Sequence, residues 1–148
     1  MRAWPLSLAL VLCACPSVPI DKMPPEDFAR YLTVVEAQWQ GRAEAWVHEN
    51  PDDADDIARV AVLIDDNLSE RITATTFLAL LDDAARANDV HPGLMLIVRE
   101  GVLAYELQMH TRGVDIQPAS RWYDVIEAMA AGVRRAVEAD GLEDTDGN

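Results

Sequence analysis

Residues 25–49 read PEDFARYLTVVEAQWQGRAEAWVHE and carry the clearest secondary-structure signal in the chain. Their large apolar side chains recur with the period of an α-helix and fall on one face: Phe28, Leu32, Val35, Trp39 and Trp46. The proline pair at 24–25 marks the start, because proline is tolerated at the first helical position and disfavours helix in the residue before it. We therefore predict an amphipathic helix over residues 25–49.

Four further segments show helical periodicity, and each follows a proline or a capping residue. We predict helices over residues 51–66, 74–88, 92–111 and 118–139, and no segment shows the sustained period-two alternation of a strand. A chain of 148 residues with 50% hydrophobic residues can form one domain with a core. The predicted fold class is all-α: a single five-helix, bundle-like domain over residues 25–139, followed by an acidic, disordered tail at residues 140–148.

Two of these helix starts carry specific capping signals. Asn50 precedes Pro51 and is expected to cap the second helix through its side chain. Thr73 is expected to cap the third helix, with Ile72 packing against Phe77 as a hydrophobic staple.

The chain is strongly acidic. Twelve Lys and Arg residues stand against 26 Asp and Glu, which gives a formal net charge of −14 at pH 7. Nucleic-acid binding requires clustered positive charge to replace the counterions of phosphate. The composition therefore argues against a nucleic-acid partner and favours attraction of a basic one.

The N-terminus has the features of an envelope-targeting leader. Arg2 is followed by an apolar run that ends at Cys15, and this run is too short to cross a bilayer as a helix. The sequence Leu12-Cys13-Ala14-Cys15 resembles the lipobox of bacterial lipoproteins, in which the final cysteine is acylated and the preceding peptide removed. The resemblance implies a signal peptide over residues 1–14, a lipidated Cys15 and a tether over residues 15–24. It also implies attachment to the membrane through the acyl chains.

Two details of the leader bear on location. Pro16 follows the cysteine where lipoproteins retained in the inner membrane carry Asp, so the resemblance implies the periplasmic face of the outer membrane. Small residues at 15 and 17 also permit ordinary signal-peptidase cleavage before Val18, which would yield a soluble secreted or periplasmic protein. A third interpretation leaves the N-terminus unprocessed in the cytoplasm.

The fourth predicted helix is apolar on two sides. One stripe contains Leu94, Ile97, Val98, Val102, Tyr105 and Met109, and the opposite stripe contains Leu96, Leu103 and Leu107. Such a helix is either central in a bundle or presents one side to a partner or an apolar ligand. Central placement is the favoured interpretation, and the second stripe is the candidate partner or ligand face.

A polar strip made of Arg99, Glu106 and His110 lies between these two stripes. If the helix is central, the strip is partly buried, as at many functional sites, although a structural ion-pair group is favoured. The Glu106/His110 pair and the similar Glu44/His48 pair have the spacing of ordinary helical surface contacts. We therefore expect no metal and no cofactor.

The motifs of catalysis are missing from the sequence. It contains no Gly-x-Ser-x-Gly, no phosphate-binding loop, no His-Glu-x-x-His, and no thiol beyond the leader. The favoured hypothesis is a small, acidic envelope lipoprotein that acts as an adaptor or inhibitor by binding a basic envelope protein. The alternative is a carrier of an apolar ligand or lipid in a helical pocket, and an enzyme using Glu106 and His110 ranks third.

Overall fold

The computed structural model describes residues 19–68, 72–108, 115–116 and 120–139, without the side chains of residues 72, 106–108 and 115–116. Within these residues the chain forms five α-helices, which confirms the all-α, single-domain prediction: α1 Pro25–Glu49, α2 Ala54–Asn67, α3 Ala74–Ala87, α4 Pro92–Gln108 and α5 Arg121–Ala139. A two-residue antiparallel pair joins β1, Ile72–Thr73, to β2, Asp115–Ile116. The predicted signal peptide and tail lie outside the described residues.

Local sequence signals account for several of the helix starts. Pro25 and Pro92 are the first residues of α1 and α4, as predicted. The Thr73 hydroxyl accepts a hydrogen bond of 3.2 Å from the backbone N–H of Thr76, which confirms the cap of α3. The expected staple involves the side chain of Ile72, which is not described.

The expected cap at Asn50 is wrong. Residues Pro51–Asp53 form a single 3₁₀ turn, so α2 begins only at Ala54 and Asn50 lies too far from its first amides. The Asn50 side chain instead donates a hydrogen bond of 3.1 Å to the carbonyl oxygen of Trp46. The same carbonyl also accepts a hydrogen bond of 2.8 Å from the backbone N–H of Asn50, so Asn50 closes the C-terminus of α1 through two donors.

The last helix begins later than predicted, at Arg121 rather than at residue 118. The hydroxyl of Ser120 accepts a hydrogen bond of 3.1 Å from the backbone N–H of Tyr123. A serine that bonds to the amide three residues on is a typical N-cap. The sequence signal of the upstream proline therefore marked the approach to the helix rather than its first turn.

Three helices meet around Trp39, which lies at the middle of α1. Phe28 lies beside Arg121 and Glu36 beside Arg135, so α1 and α5 run side by side in the same direction.

Helix α4 runs in the opposite direction to α1, because Trp46 of α1 lies beside Gly93 of α4 and Trp39 bonds to Tyr105. Helices α2 and α3 complete the core, whose most deeply buried large side chains include Trp122, Phe77, Ile57, Ile64, Leu81, Ile126 and Met129.

The folded domain begins earlier than predicted. Residues Ile20–Lys22 form a 3₁₀ turn, and Ile20 is 0% exposed while Met23 is also buried in the core. Arg121 donates a hydrogen bond of 2.6 Å to the carbonyl oxygen of Ile20 and stacks over Phe28, which holds this turn in place. Residues 20–23 therefore belong to the domain and not to the expected tether.

None of the helices within the described residues is both long enough and apolar enough to span a bilayer.

Candidate functional site

The outer side of α4 carries two of the five large hydrophobic side chains that are exposed among the described residues; the other three are Val34, Val62 and Leu80. Leu96 is 50% exposed and Leu103 is 40% exposed, whereas Val98 and Val102 on the opposite side are buried. The central placement favoured from the sequence is therefore wrong, because α4 packs through one side only. The side chain of Leu107, the third member of the predicted stripe, is not described.

One member of the predicted polar strip lies beside these leucines. The guanidinium of Arg99 is half exposed and lies 3.4 Å from the carboxylate of Asp82 on α3. The side chain of Glu106 and all of residue 110 lie outside the described residues. Arg99 therefore joins α4 to α3 at the edge of the leucine face, and the arrangement of the rest of the strip stays a prediction.

Gly101 allows the inner side of α4 to approach α1 closely. A Cβ atom at Gly101 would overlap the ring of Trp39 and would lie 2.7 Å from its Cη2 atom. The indole Nε1 of Trp39 donates a hydrogen bond of 2.7 Å to the buried hydroxyl of Tyr105, one turn further along α4. These two contacts fix which side of α4 faces inward, and so they direct Leu96 and Leu103 to the solvent.

A positively charged side chain accompanies this aromatic pair. Arg42 stacks over the ring of Trp39, with its guanidinium carbon 5.0 Å from the ring centroid. Burial lowers the pKa of Arg42 below its usual value, while Tyr105 and Glu100 act in the opposite direction. Burial also raises the pKa of Tyr105, and the Trp39 hydrogen bond and the charge of Arg42 partly oppose that shift.

A small cavity separates α1 from α4 next to Arg42. Its volume is about 20 Å³, and apolar side chains form most of its wall, together with Trp39, Arg42 and Trp46. The indole Nε1 of Trp46 is buried and has no hydrogen-bond partner among the described residues. A cavity of this size accommodates about one water molecule and is far too small for an acyl chain.

The start of α4 is fixed by a buried carboxylate that sequence reasoning passed over. Asp56 accepts hydrogen bonds from the backbone N–H of His91 at 2.7 Å and from the side chain of Arg59 at 3.1 Å. His91 in turn accepts a hydrogen bond of 3.0 Å at Nδ1 from the backbone N–H of Gly93. Asp56 and His91 thus position α4, and the sequence showed only an acidic doublet and a histidine ahead of a proline.

Within the part of the chain that is described, no three His, Cys, Asp or Glu side chains converge in a way that could hold a metal ion. Glu44, one of the metal candidates weighed from the sequence, instead accepts a hydrogen bond of 2.8 Å from Gln40, and His48 is exposed.

Comparison of the chain with protein-family models, with curated proteins and with solved structures finds no significant match.

Proposed function

We propose that this protein is a lipid-anchored binding module that docks a basic envelope protein on the outer side of α4. The observation that carries the proposal is the exposure of Leu96 and Leu103 on a helix whose opposite side is already buried in the core. These two leucines do not contribute to the core of their own chain. Their apolar surface would stabilise a complex if a partner removed it from water.

The spacing of the leucines suits a helical or grooved partner. Leu96 and Leu103 are seven residues apart, so they lie on the same side of α4 about 10 Å from each other along its axis. Leu107 follows at the next position of the same stripe. Anchors at this spacing are typical of helix-in-groove recognition.

The charge of the chain supports a basic partner over a second copy of itself. A formal net charge of −14 makes two copies repel each other and attracts a positively charged protein over long range. The exposed side chain of Glu100 lies on the same helix as the leucines. We therefore expect an association that weakens as salt is added.

The anchor proposal rests on the leader alone, and the position of Ile20 sets the length of the tether that an anchor would have. Since Ile20 is buried, four residues, 16–19, separate Cys15 from the domain. This segment spans about 18 Å at most from Cys15 to Ile20. Acylation of Cys15 would therefore hold the module close to a membrane surface, where it meets envelope partners. Intact mass of the membrane-associated protein, beside a Cys15→Ala control, tests this part.

The carrier alternative receives less support from the described residues. It requires both stripes of α4 to line an internal pocket, yet Leu96 and Leu103 point outward and the cavity behind α4 holds about 20 Å³. The enzyme alternative depends on Glu106 and His110, whose side chains lie outside the described residues. We therefore retain the binding module as the proposed function.

Calorimetry with model peptides tests the docking surface. The probes are an amphipathic Lys/Leu helical peptide and a Glu/Leu peptide with the same apolar pattern. Val62 on α2 is 57% exposed and supplies the matched control for an exposed apolar side chain elsewhere. We expect the Lys/Leu peptide to bind, and Leu96→Ser with Leu103→Ser to weaken it at least about tenfold, since each leucine contributes roughly 1 kcal/mol or more when buried.

Val62→Ser should leave that affinity unchanged. Equal binding of the two peptides, or equal effects of the Leu96/Leu103 and Val62 substitutions, would show that the outer side of α4 is not a docking surface for a basic partner.

A further inference from the structure

We infer, on the basis of the docking surface proposed above, that Glu100 determines which basic partner this surface accepts. The partner that fits carries a lysine or arginine between two apolar side chains at helical spacing, rather than positive charge spread over its whole surface. Three features of the structure support this: the position of Glu100 between the two exposed leucines, the lack of an ion pair for Glu100 within the described residues, and the engagement of the two neighbouring cations in contacts of their own.

Glu100 lies within the leucine stripe of α4. It follows Leu96 by four residues and precedes Leu103 by three. Residues three and four apart on an α-helix are neighbours on its surface, with about 5–6 Å between their Cβ atoms. All three residues are exposed, whereas Val98 and Val102 on the opposite side are buried. A partner that covers both leucines therefore also covers the residue between them.

The carboxylate of Glu100 forms no ion pair with another described residue. Arg42 of α1 is close enough to interact with it electrostatically. The guanidinium of Arg42 is stacked over the ring of Trp39, however, and it lies beyond ion-pair distance of Glu100. Arg42 therefore offsets part of the charge of Glu100 without forming a salt bridge with it.

The second neighbouring cation, Arg99, is directed away from the leucine stripe. It precedes Glu100 in the chain, so the two side chains leave the helix about 100° apart. The guanidinium of Arg99 pairs with Asp82 of α3 at 3.4 Å. Arg99 thus faces α3, and the charge that remains among the leucines is negative.

A partner that covered Glu100 without supplying a positive charge would bind poorly. Removing a carboxylate from water opposes association unless a charged or hydrogen-bonding group replaces the water. A wholly apolar segment across Leu96 and Leu103 would meet this penalty, and an acidic one would add repulsion. A lysine or arginine opposite Glu100 avoids both, so the surface selects its partner largely by what it rejects.

A contact at Glu100 differs measurably from the general attraction that the acidic chain exerts. The formal net charge of −14 draws any positively charged protein over long range. Such attraction acts mainly on the association rate, whereas a close charge pair inside an interface acts mainly on the dissociation rate. The two contributions can therefore be separated by kinetics.

Three helical peptides, each titrated into the full chain, test the role of Glu100. Each peptide carries the pattern Leu-x-x-x-Z-x-x-Leu with neutral residues at x, and Z is lysine, glutamine or glutamate. Calorimetry gives the affinities, and surface plasmon resonance gives the rates. We expect the lysine peptide to bind about fivefold more tightly than the glutamine peptide, as for a partly exposed ion pair, and the glutamate peptide to bind most weakly.

Substitutions on the protein locate the preference. Glu100→Gln should remove the preference for the lysine peptide, mainly through faster dissociation. Glu127→Gln is the matched control: it removes the same charge from an exposed position on α5 that has no ion pair with a described residue, and it should leave the preference unchanged. Glu100→Lys should reverse the preference, so that the glutamate peptide binds more tightly than the lysine peptide.

The outcomes separate the role of Glu100 from the docking surface itself. If Leu96→Ser with Leu103→Ser weakens all three peptides but Glu100→Gln keeps the preference for lysine, the surface stands and Glu100 does not select the partner. An equal loss of preference in Glu100→Gln and Glu127→Gln would assign it to net charge and would also overturn the inference. If no peptide binds, or the leucine substitutions change nothing, the docking surface fails and the role of Glu100 fails with it.

Discussion

The indole of Trp39 and the hydroxyl of Tyr105, which are 66 residues apart in sequence, form a buried hydrogen bond of 2.7 Å that joins α1 to α4. This bond stands next to the glycine that lets α4 approach Trp39, so it sets the rotation of α4 about its own axis. The rotation in turn decides that Leu96 and Leu103 face the solvent. The proposed docking surface is thus a consequence of a contact inside the core.

Removing the Tyr105 hydroxyl tests this contact. Tyr105→Phe keeps the ring but leaves the Trp39 N–H buried without an acceptor, so we expect a loss of about 1–2 kcal/mol in the free energy of unfolding. Denaturant titration monitored by tryptophan fluorescence measures it. A change smaller than about 0.3 kcal/mol would show that the bond contributes little.

Ionisation of the Tyr105 hydroxyl should make the stability of the protein depend on pH in the alkaline range. Burial raises the pKa of Tyr105 above its ordinary value of 10.0. The unfolded chain then loses the tyrosine proton at a lower pH than the folded chain, so the unfolded state binds fewer protons and stability falls as the pH rises. The contribution is complete below pH 10 and is lost as the pH rises toward the folded-state pKa.

The contribution of Tyr105 to this pH dependence is measured by comparing the unfolding free energies of the parent protein and of Tyr105→Phe at pH 8, 10 and 11. We expect the parent protein to lose more stability than the variant above pH 10. Equal slopes for the two proteins would mean that Tyr105 titrates alike in the folded and unfolded states.

A pair of glycines gives opposite predictions for the same substitution. A Cβ atom at Gly132 of α5 would overlap the carbonyl oxygen of Glu36 and lie 2.9 Å from the backbone nitrogen of Gln40 on α1. Because backbone atoms cannot move aside cheaply, we expect Gly132→Ala to cost about 2–3 kcal/mol. At Gly41 a Cβ atom meets nothing within 4 Å. Gly41→Ala should therefore raise stability by about 0.5–1 kcal/mol.

Thermal unfolding of the two alanine variants provides the comparison. A tolerated Gly132→Ala would mean that α1 and α5 are further apart than described, and a destabilising Gly41→Ala would mean that this side of α1 is covered.

The N-terminal turn Ile20–Lys22 should detach from the domain when its contacts with Arg121 are removed. Arg121→Gln loses the hydrogen bond to the Ile20 carbonyl and the stacking on Phe28, and we expect a loss of about 1–2 kcal/mol. Limited trypsin digestion should then cut after the exposed Lys22 several-fold faster. Arg30→Gln is the control, since an exposed ion pair contributes less than about 1 kcal/mol. Equal cleavage rates in both variants would show that Arg121 does not hold the N-terminal turn in place.

The features that were predicted correctly from the sequence are those that depend on residues close together in the chain. Pro25 and Pro92 gave two helix starts correctly because proline acts locally on its own turn, and Thr73 capped α3 for the same reason. Asn50 failed because the 3₁₀ turn at Pro51–Asp53 displaces the start of α2, and no local pattern announces that turn. Ile20 was assigned to the tether because its packing depends on Arg121, which is 101 residues away.

The residues of the candidate docking surface could be predicted from the sequence, but their exposure to solvent could not. Leu96 and Leu103 could be found from the two-sided pattern of α4, but a pattern of this kind does not say which apolar side faces the core. Gly101 was the missed signal: a glycine on the Val98/Val102 side marks where another helix approaches closely.

The most direct test of the account is site-specific photo-crosslinking in intact cells that produce the protein. A photoreactive phenylalanine analogue replaces Leu103 in one variant and Val62 in the other, and crosslinked proteins are identified by mass spectrometry. We predict a crosslink from position 103 to an envelope protein of basic isoelectric point, weakened by added salt and absent from position 62. Crosslinks of equal yield from both positions, or none from position 103, would contradict it.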